Sequence, residues 1–261
     1  MRLAVIGHPI AHSLSPVLHE QWLRASGLFG RYEALDVAEE DLSGLFQAMR
    51  DGEWDGFNVT IPYKETVIPY LDELDLAATD AGAVNTVYKR DGKLIGTNTD
   101  GAGLVAALSP LTDWSGRVLV IGAGGAARGI ISALPTRDVT ITNRTMERAE
   151  RLAERFGIEA KAFVDVDIAR YDVIIQTTSV GMDGVHSPQS LNGLRQNTVV
   201  CVIIYSPLVT PFLKEAAKKG AIIVNGTAMF VGQGALAFEY WTGVKPDRFV
   251  GMKLIESLLE E

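Results

Sequence analysis

Apolar residues along this chain follow two periods. Short aliphatic runs, such as Leu3-Ala4-Val5-Ile6 and Val118-Leu119-Val120-Ile121, alternate with longer stretches whose apolar positions recur at three- and four-residue spacing. The short runs read as buried strands and the longer ones as amphipathic helices. Their alternation is the pattern of parallel strands joined by crossover helices. In the first part of the chain it predicts a strand at 3–6, a helix at 16–25 and a second helix at 39–50. A strand at 56–61, a short helix at 63–70 and a strand at 83–88 follow, the last ended by the Asp91-Gly92 turn. Ser15 stands where it can cap the first helix, with Pro16 at the first helical position.

A second unit begins after Leu108, with Ser109-Pro110-Leu111-Thr112-Asp113 as a boundary loop. Strand 117–121 runs into a glycine turn, and a helix follows to 134. Then come strand 139–142, a helix at 146–156 stopped by Gly157, and strands 172–176 and 199–204. Helix 211–219, its stop Gly220 and strand 221–224 complete a doubly wound unit. The tail is helical at 232–241 and 252–259.

The length of 261 residues suits about two domains. With 47% hydrophobic and 21% charged residues the chain is globular in composition. Its 24 Lys+Arg against 32 Asp+Glu give −8, which argues against nucleic acid or an anionic membrane as the main partner. No apolar run reaches the ~18 residues of a membrane span, and residues 1–7 read as a strand rather than a leader. The single cysteine, Cys201, excludes an internal disulfide and sets a reducing cytoplasm as the expected compartment.

The strongest local signal is Gly122-Ala123-Gly124-Gly125-Ala126-Ala127, a G-x-G-x-x-A turn between a strand and a helix. That context is what a dinucleotide pyrophosphate needs: a tight turn, open backbone and free N–H groups at a helix N-terminus. The next strand ends in Asn143-Arg144-Thr145, with Arg148 beyond, where an NAD site would carry an acid. Donors and a bidentate cation there favour NADP, whose 2′-phosphate an acid would repel. Arg151 and Arg155 read as a solvated helix face. In the first unit, Ser13, Ser15, Asn58, Thr60, Lys64, Asn85 and Asp100 are polar at positions near predicted strand ends, where α/β sheets bind ligands. Each has a plainer role available. Ser15 and Asp100 could cap helices, and Lys64 could be a solvated helix lysine. His8, His12 and His19 have no acid or cysteine at ligand spacing, so no metal is expected.

These residues lie in a longer ordered set: Gly7 to Pro16, Asn58-Val59-Thr60-Ile61-Pro62-Tyr63-Lys64, Gly82-Ala83-Val84-Asn85-Thr86 and Gly96-Thr97-Asn98-Thr99-Asp100-Gly101. Gly122 to Gly129, Asn143-Arg144-Thr145, residues 177–182, Tyr205-Ser206-Pro207-Leu208 and Gly232-Gln233-Gly234-Ala235 continue it. Over essentially its whole length the chain resembles the shikimate dehydrogenase family. The resemblance implies NADPH-dependent reduction of 3-dehydroshikimate to shikimate, on the path to chorismate and the aromatic amino acids. It implies a substrate domain of residues 1–101 completed by 232–261, and a Rossmann domain of residues 102–231 between them. Ser13 and Ser15, with Tyr205 nearby, would hold the substrate carboxylate, and Asn58, Thr60, Asn85 and Gln233 its hydroxyls. Lys64 and Asp100 would be the catalytic pair. Thr177, Thr178, Met182, Gly226 and Met229 would lie along the cofactor, with Met182, Gly226 and Met229 on the nicotinamide side.

The chain departs from the family pattern in three places. Val202 stands where an Asp is usual, Ser206 where Asn is frequent, and Asn225-Gly226 where Asp-Gly is usual. Two other readings remain open: a quinate/shikimate dehydrogenase of broader specificity, and a regulatory protein that binds shikimate and NADP without turnover. The chain is expected to act as a monomer or a homodimer.

Overall fold

The structure, a computed structural model, describes residues 1–260. The first unit runs β1 (Arg2–Gly7), α1 (Ser15–Ala25), β2 (Arg31–Asp36), α2 (Leu42–Arg50), β3 (Gly56–Val59) and β4 (Glu73–Leu74). It continues with α3 (Leu76–Ala81), β5 (Thr86–Arg90) and β6 (Lys93–Thr97), and α4 (Asp100–Leu108) joins it to the second unit. The second unit is β7 (Val118–Ile121), α5 (Gly125–Ala133), β8 (Val139–Thr142), α6 (Met146–Phe156), β9 (Glu159–Ala160), β10 (Val173–Gln176), β11 (Val199–Val202), α7 (Pro211–Lys218) and β12 (Ile222–Val224). Two helices, α8 (Gly226–Thr242) and α9 (Arg248–Glu260), close the described chain.

Each unit has its own six-stranded sheet, ordered β2-β1-β3-β5-β6-β4 and β12-β11-β10-β7-β8-β9. The second is parallel throughout. Its order leaves β7 toward β8 on one side and toward β10 on the other, so a crevice opens where their carboxyl ends diverge. The first sheet is mixed: β1 is parallel to β2 and β3, while β5 runs antiparallel to β3 and β6. β7, β8, β10 and β11 are buried along their whole length, as expected of strands covered on both faces.

The tail returns to the first unit. Leu18, Trp22 and Leu23 of α1 form one apolar cluster with Val231, Ala235 and Phe238 of α8 and Ile255 of α9. Two indoles tie the packing down: Trp22 Nε1–H donates to Asp247 O (3.1 Å) and Trp241 Nε1–H to Val87 O (2.9 Å). The close approach of α4 to α8 depends on glycine. A Cβ at Gly103 would stand 2.6 Å from the backbone nitrogen of Gln233.

Several expected elements differ. Residues 63–70 are a series of turns with one 3-10 turn at Ile68–Tyr70, because Pro69 has no N–H to continue a helix. The strand expected at 83–88 begins at Thr86; upstream, Val84 N–H bonds Lys64 O (2.7 Å) and Asn85 N–H bonds Thr97 O (3.1 Å). α8 begins at Gly226 rather than 232, capped by the Asn225 side chain, which accepts from Thr227 N–H at 3.1 Å. Ser15 makes no capping hydrogen bond; α1 starts at Ser15 itself, and the Ser15 N–H donates to Ser13 Oγ (3.2 Å). Arg155 is exposed on α6 but is also tied down. Its guanidinium crosses to the first unit and donates to the last-turn carbonyls of α3, Thr79 O and Asp80 O (both 2.9 Å).

Candidate active site

The polar residues of the first unit converge where β3, β5 and β6 end near α4. Asn58 leaves the end of β3, Asn85 immediately precedes β5, and Asp100 opens α4. All three are buried, at 5%, 2% and 4% exposure. Burial of two amides and a carboxylate is tolerable only with full hydrogen bonding, and the site supplies it. Asn85 Nδ2–H donates to Asp100 Oδ1 (2.8 Å) and to Thr99 Oγ1 (2.9 Å), while Asn85 Oδ1 accepts from Thr99 N–H (2.8 Å). Lys64 Nζ forms an ion pair with the other carboxylate oxygen, Asp100 Oδ2. The two side chains are only 13% and 6% exposed, so this pair is shielded from water. Asp100 is therefore not a helix cap, and Lys64 is not a solvated helix lysine.

Around this pair, Asn58 Nδ2–H donates to Asn85 O (3.2 Å) and Thr86 Oγ1 (3.1 Å), and Asn58 Oδ1 accepts from Tyr32 (2.7 Å). Gln233, on α8, anchors its Nε2–H on Phe230 O (2.8 Å) and turns Oε1 toward Asn85 Nδ2, at 3.5 Å. Thr60 follows β3, half-buried, its backbone N–H bonded to Ile6 O (2.9 Å). Ser13, in the turn before α1, and Ser15, its first residue, lie together. Tyr205, from the loop after β11 in the other unit, reaches this turn, its phenol beside the Leu14 backbone. Burial pushes that phenol above its usual range, and the Leu14 contact opposes the rise.

The glycine turn faces the same corner. Gly122 has φ +116°, and a Cβ there would run into Thr177. Gly124 precedes α5 with no atom within 4 Å of where a Cβ would be, so its backbone is open to a ligand. Ala123 and Ala126 are half-buried beside it, and Ala127 is fully buried against the sheet. At Gly125 a Cβ would sit 3.4 Å from Lys64 Cδ. The stem of Lys64 thus packs on the first turn of α5, and the two units meet at the ion pair. A second cross-unit pair lies beside it, Arg128 Nη2 to Glu65 Oε2 at 3.4 Å.

At the end of β8, Asn143 turns its amide onto Thr145 O (2.8 Å). Arg144, Thr145 and Arg148 lie at the surface beyond it, and neither arginine forms an ion pair among the described residues. Free cations beside an open helix N-terminus fit the phosphates of a dinucleotide. Thr177 and Thr178 follow β10 at the crevice, with Thr177 Oγ1–H on Ile121 O (2.9 Å) and Thr178 N–H on Gln176 Oε1 (2.8 Å). Met182 is exposed in the following turn. Gly226 is buried against Ile203 and Ile204, and Met229 lies in the apolar cluster of Val120, Ile130 and Cys201.

Two of the departures from the family pattern have local explanations, and the structure offers none for Ser206. Val202 is fully buried among Ile121, Ile174 and Phe212, where an aliphatic side chain packs well. Asn225 performs the capping that an acid would perform at the same position. Sequence reasoning assigns no role to Tyr32, Thr86 or Thr99, which complete the hydrogen bonding around Asn58 and Asn85. Thr86 and Thr99 sit inside quoted motifs, but their own sequence signal is only that of a strand or turn threonine. Strand β2, which carries Tyr32, is absent from the elements that the apolar pattern predicts.

Comparisons with known proteins place the chain in a family. Residues 5–87 match the shikimate dehydrogenase substrate binding domain, residues 107–204 the shikimate / quinate 5-dehydrogenase domain, and residues 226–253 the shikimate 5′-dehydrogenase C-terminal domain. The chain is 74% identical to a shikimate dehydrogenase (NADP(+)) of an Exiguobacterium species, with 100% of both chains covered. Shikimate 5-dehydrogenase of Thermus thermophilus, solved with NADP(H) and shikimate, is similar at TM-score 0.92 and 39% identity, covering 99% of each chain. Quinate dehydrogenase of Corynebacterium glutamicum, solved with NAD, has TM-score 0.91 at 28% identity, covering 98% of this chain and 99% of that one. With this sequence identity over its full length and the same two-unit fold, the chain belongs to the shikimate dehydrogenase (NADP(+)) family.

Proposed function

We propose that the chain is an NADP-dependent oxidoreductase that interconverts 3-dehydroshikimate and shikimate, in the direction of chorismate and the aromatic amino acids. One observation carries the reading: the shielded Lys64–Asp100 pair lies against the first turn of α5, next to a glycine turn open to a dinucleotide. A proton-donating cation therefore stands beside the place where a hydride carrier fits. In reduction, the bound cofactor supplies the hydride to the substrate carbonyl. Negative charge then builds on the carbonyl oxygen, and the Lys64 ammonium stabilises that charge and gives up a proton from Nζ. Asp100 holds Lys64 through Oδ2, is itself held by Asn85 through Oδ1, and has lone pairs left for a substrate hydroxyl.

In this reading Ser13, Ser15 and Tyr205 hold the substrate carboxylate, and Asn58, Thr60, Asn85 and Gln233 hold the ring hydroxyls. The turn from Gly122 through Ala127 receives the pyrophosphate. Asn143, Arg144, Thr145 and Arg148 receive the 2′-phosphate, Thr177 and Thr178 lie along the cofactor, and Met182, Gly226 and Met229 border its nicotinamide end. Residues 1–101 with 232–261 form the substrate domain and 102–231 the cofactor domain. All of these groups come from one chain, so the reading holds for a monomer or a homodimer alike. A cytoplasmic location accords with Cys201, a fully buried thiol that burial pushes up to about 12.

The test follows NADPH formation by its absorbance with purified protein, NADP and shikimate, with quinate and NAD in parallel. Turnover with shikimate and NADP, and far less with quinate or NAD, is the expected result. Comparable turnover of quinate would move the protein to the broader specificity, and folded protein inert with every pair would make it a binding protein.

A further inference from the structure

The amides of Asn58 and Asn85 can present either a donor or an acceptor to a ligand, depending on which way each is turned. Groups that can only donate or only accept decide this, and two buried hydroxyls, on β2 and β5, hold the result in place. Tyr32, on β2 and 2% exposed, has one hydroxyl proton and gives it to Asn58 Oδ1 (2.7 Å). On the other side of Asn58 stands Asn85 O, which can only accept, and it receives Nδ2–H at 3.2 Å. Together these neighbours admit one orientation of the Asn58 amide and exclude the flipped one.

Thr86, fully buried on β5, performs the same task one step further along. Its Oγ1 accepts from Asn58 Nδ2 (3.1 Å) and donates to Asn85 Oδ1 (3.0 Å). With Oδ1 of Asn85 committed to Thr86 and to Thr99 N–H, Nδ2 is left to face Asp100 Oδ1 at 2.8 Å. The donors form one directed series, from Tyr32 through Asn58, Thr86 and Asn85 to the carboxylate that pairs with Lys64. Bonds of such a series polarise one another in a water-free setting, and a single flipped amide would oppose two donors or two acceptors. The Tyr32 ring is fixed independently, stacked on His19 with centroids 4.4 Å apart and planes 5° from parallel. Neither hydroxyl belongs to the set assigned above to the substrate or the cofactor.

We propose that Tyr32 and Thr86 are positioning residues of this site: their hydroxyls hold the Asn58 and Asn85 amides in the orientation that Asn85 O, Thr99 N–H and Asp100 require, and through Asn85 they hold the Asp100 carboxylate. The proposal rests on the oxidoreductase reading given above.

Tyr32→Phe, Thr86→Val and Thr86→Ser in the full chain separate this role from packing. Loss of one buried hydrogen bond of about 1–1.5 kcal/mol corresponds to about 5- to 10-fold in a binding or rate constant. Tyr32→Phe keeps the stacked ring and is expected to raise KM for shikimate by about that factor, with KM for NADP within about 2-fold. Thr86→Val is expected to lower kcat by a similar factor and Thr86→Ser to restore it. Wild-type KM and kcat in both folded variants would overturn the proposal. So would equal rises in both KM values, or no rescue by serine, which a general loosening produces. The side-chain amide protons of Asn58 and Asn85, read by nuclear magnetic resonance without ligand, give a measure that needs no turnover. Protected resonances in the wild type that lose protection in Thr86→Val support the directed series; unchanged resonances refute it. Wild-type protein inert toward shikimate would count against the oxidoreductase reading, and the amide resonances would then decide this proposal alone.

Discussion

His19 provides a quantitative test of the packing behind the turn that carries Ser13 and Ser15. It lies on α1, 1% exposed, stacked on Tyr32 and edge-on to Trp22 with centroids 5.3 Å apart. Its Nδ1 is buried without a hydrogen-bond partner. An imidazolium there would lose its hydration and gain no carboxylate, and burial accordingly lowers the His19 pKa from 6.5 to about 3. The folded state refuses a proton that the unfolded chain takes up below pH 6.5, so stability is undiminished above that value and declines as the pH falls toward 3. Integrating between these two pKa values, the contribution of His19 falls by about 2 kcal/mol from pH 7 to pH 5, and by about 3 kcal/mol at pH 4. Replacement by Phe keeps an aromatic ring and removes the titration. Urea unfolding of the wild type and His19→Phe at pH 7, 6 and 5 isolates the effect, because groups common to both cancel in the difference. The stability of the wild type relative to the variant should drop by about 2 kcal/mol across that range. A difference constant to within about 0.5 kcal/mol would mean that folded His19 takes up a proton, and would refute the account of this cluster.

Other expectations concern the site directly. Lys64→Ala should lower kcat by at least about 10²-fold with NADP binding nearly unchanged, as measured by steady-state turnover and a cofactor titration. Arg144→Ala should raise KM for NADP by about 10- to 100-fold, the value of a charged hydrogen bond, and leave weak NAD turnover alone; equal losses for both cofactors would remove Arg144 from 2′-phosphate recognition. Gly103→Ala places a methyl 2.6 Å from Gln233 N, and the enforced separation of α4 and α8 should cost about 1–3 kcal/mol in thermal unfolding. A wild-type melting temperature in that variant would show that the two helices slide apart freely.

Much of this molecule is legible in one dimension. The fully buried strands β7, β8 and β10 and the helix α6 are set by local composition, since the strands are short runs rich in β-branched residues and the helix is strongly amphipathic with a clear stop at Gly157. The glycine turn is legible for the same reason: Gly122 with φ +116° and the open backbone at Gly124 are properties of consecutive residues. The strand–turn–helix context and the basic end of β8 therefore indicate a dinucleotide site, and the ordered motifs indicate the family.

Elements whose stability is borrowed from neighbours are not legible in this way. Strand β2 lies at the sheet edge with only Tyr32 buried along it, and it exists because β1 pairs with it in register. Residues 63–70 show helical spacing, yet their backbone is taken up by turns and by Val84 N–H on Lys64 O. Arg155 has the spacing of a solvated face, and only the position of α3 gives it two carbonyls to bind.

The sequence by itself determines the fold class, the cofactor turn and the residue types available for chemistry, because these depend on local periodicity and backbone freedom. The tertiary structure alone decides that Lys64, Asn85 and Asp100 share one dry corner against α5, and that Tyr32 and Thr86 stand behind them. The physical reason is that a buried polar group is stable only when partners from distant segments satisfy it, and those partners meet only after the two sheets and the returning helices have packed.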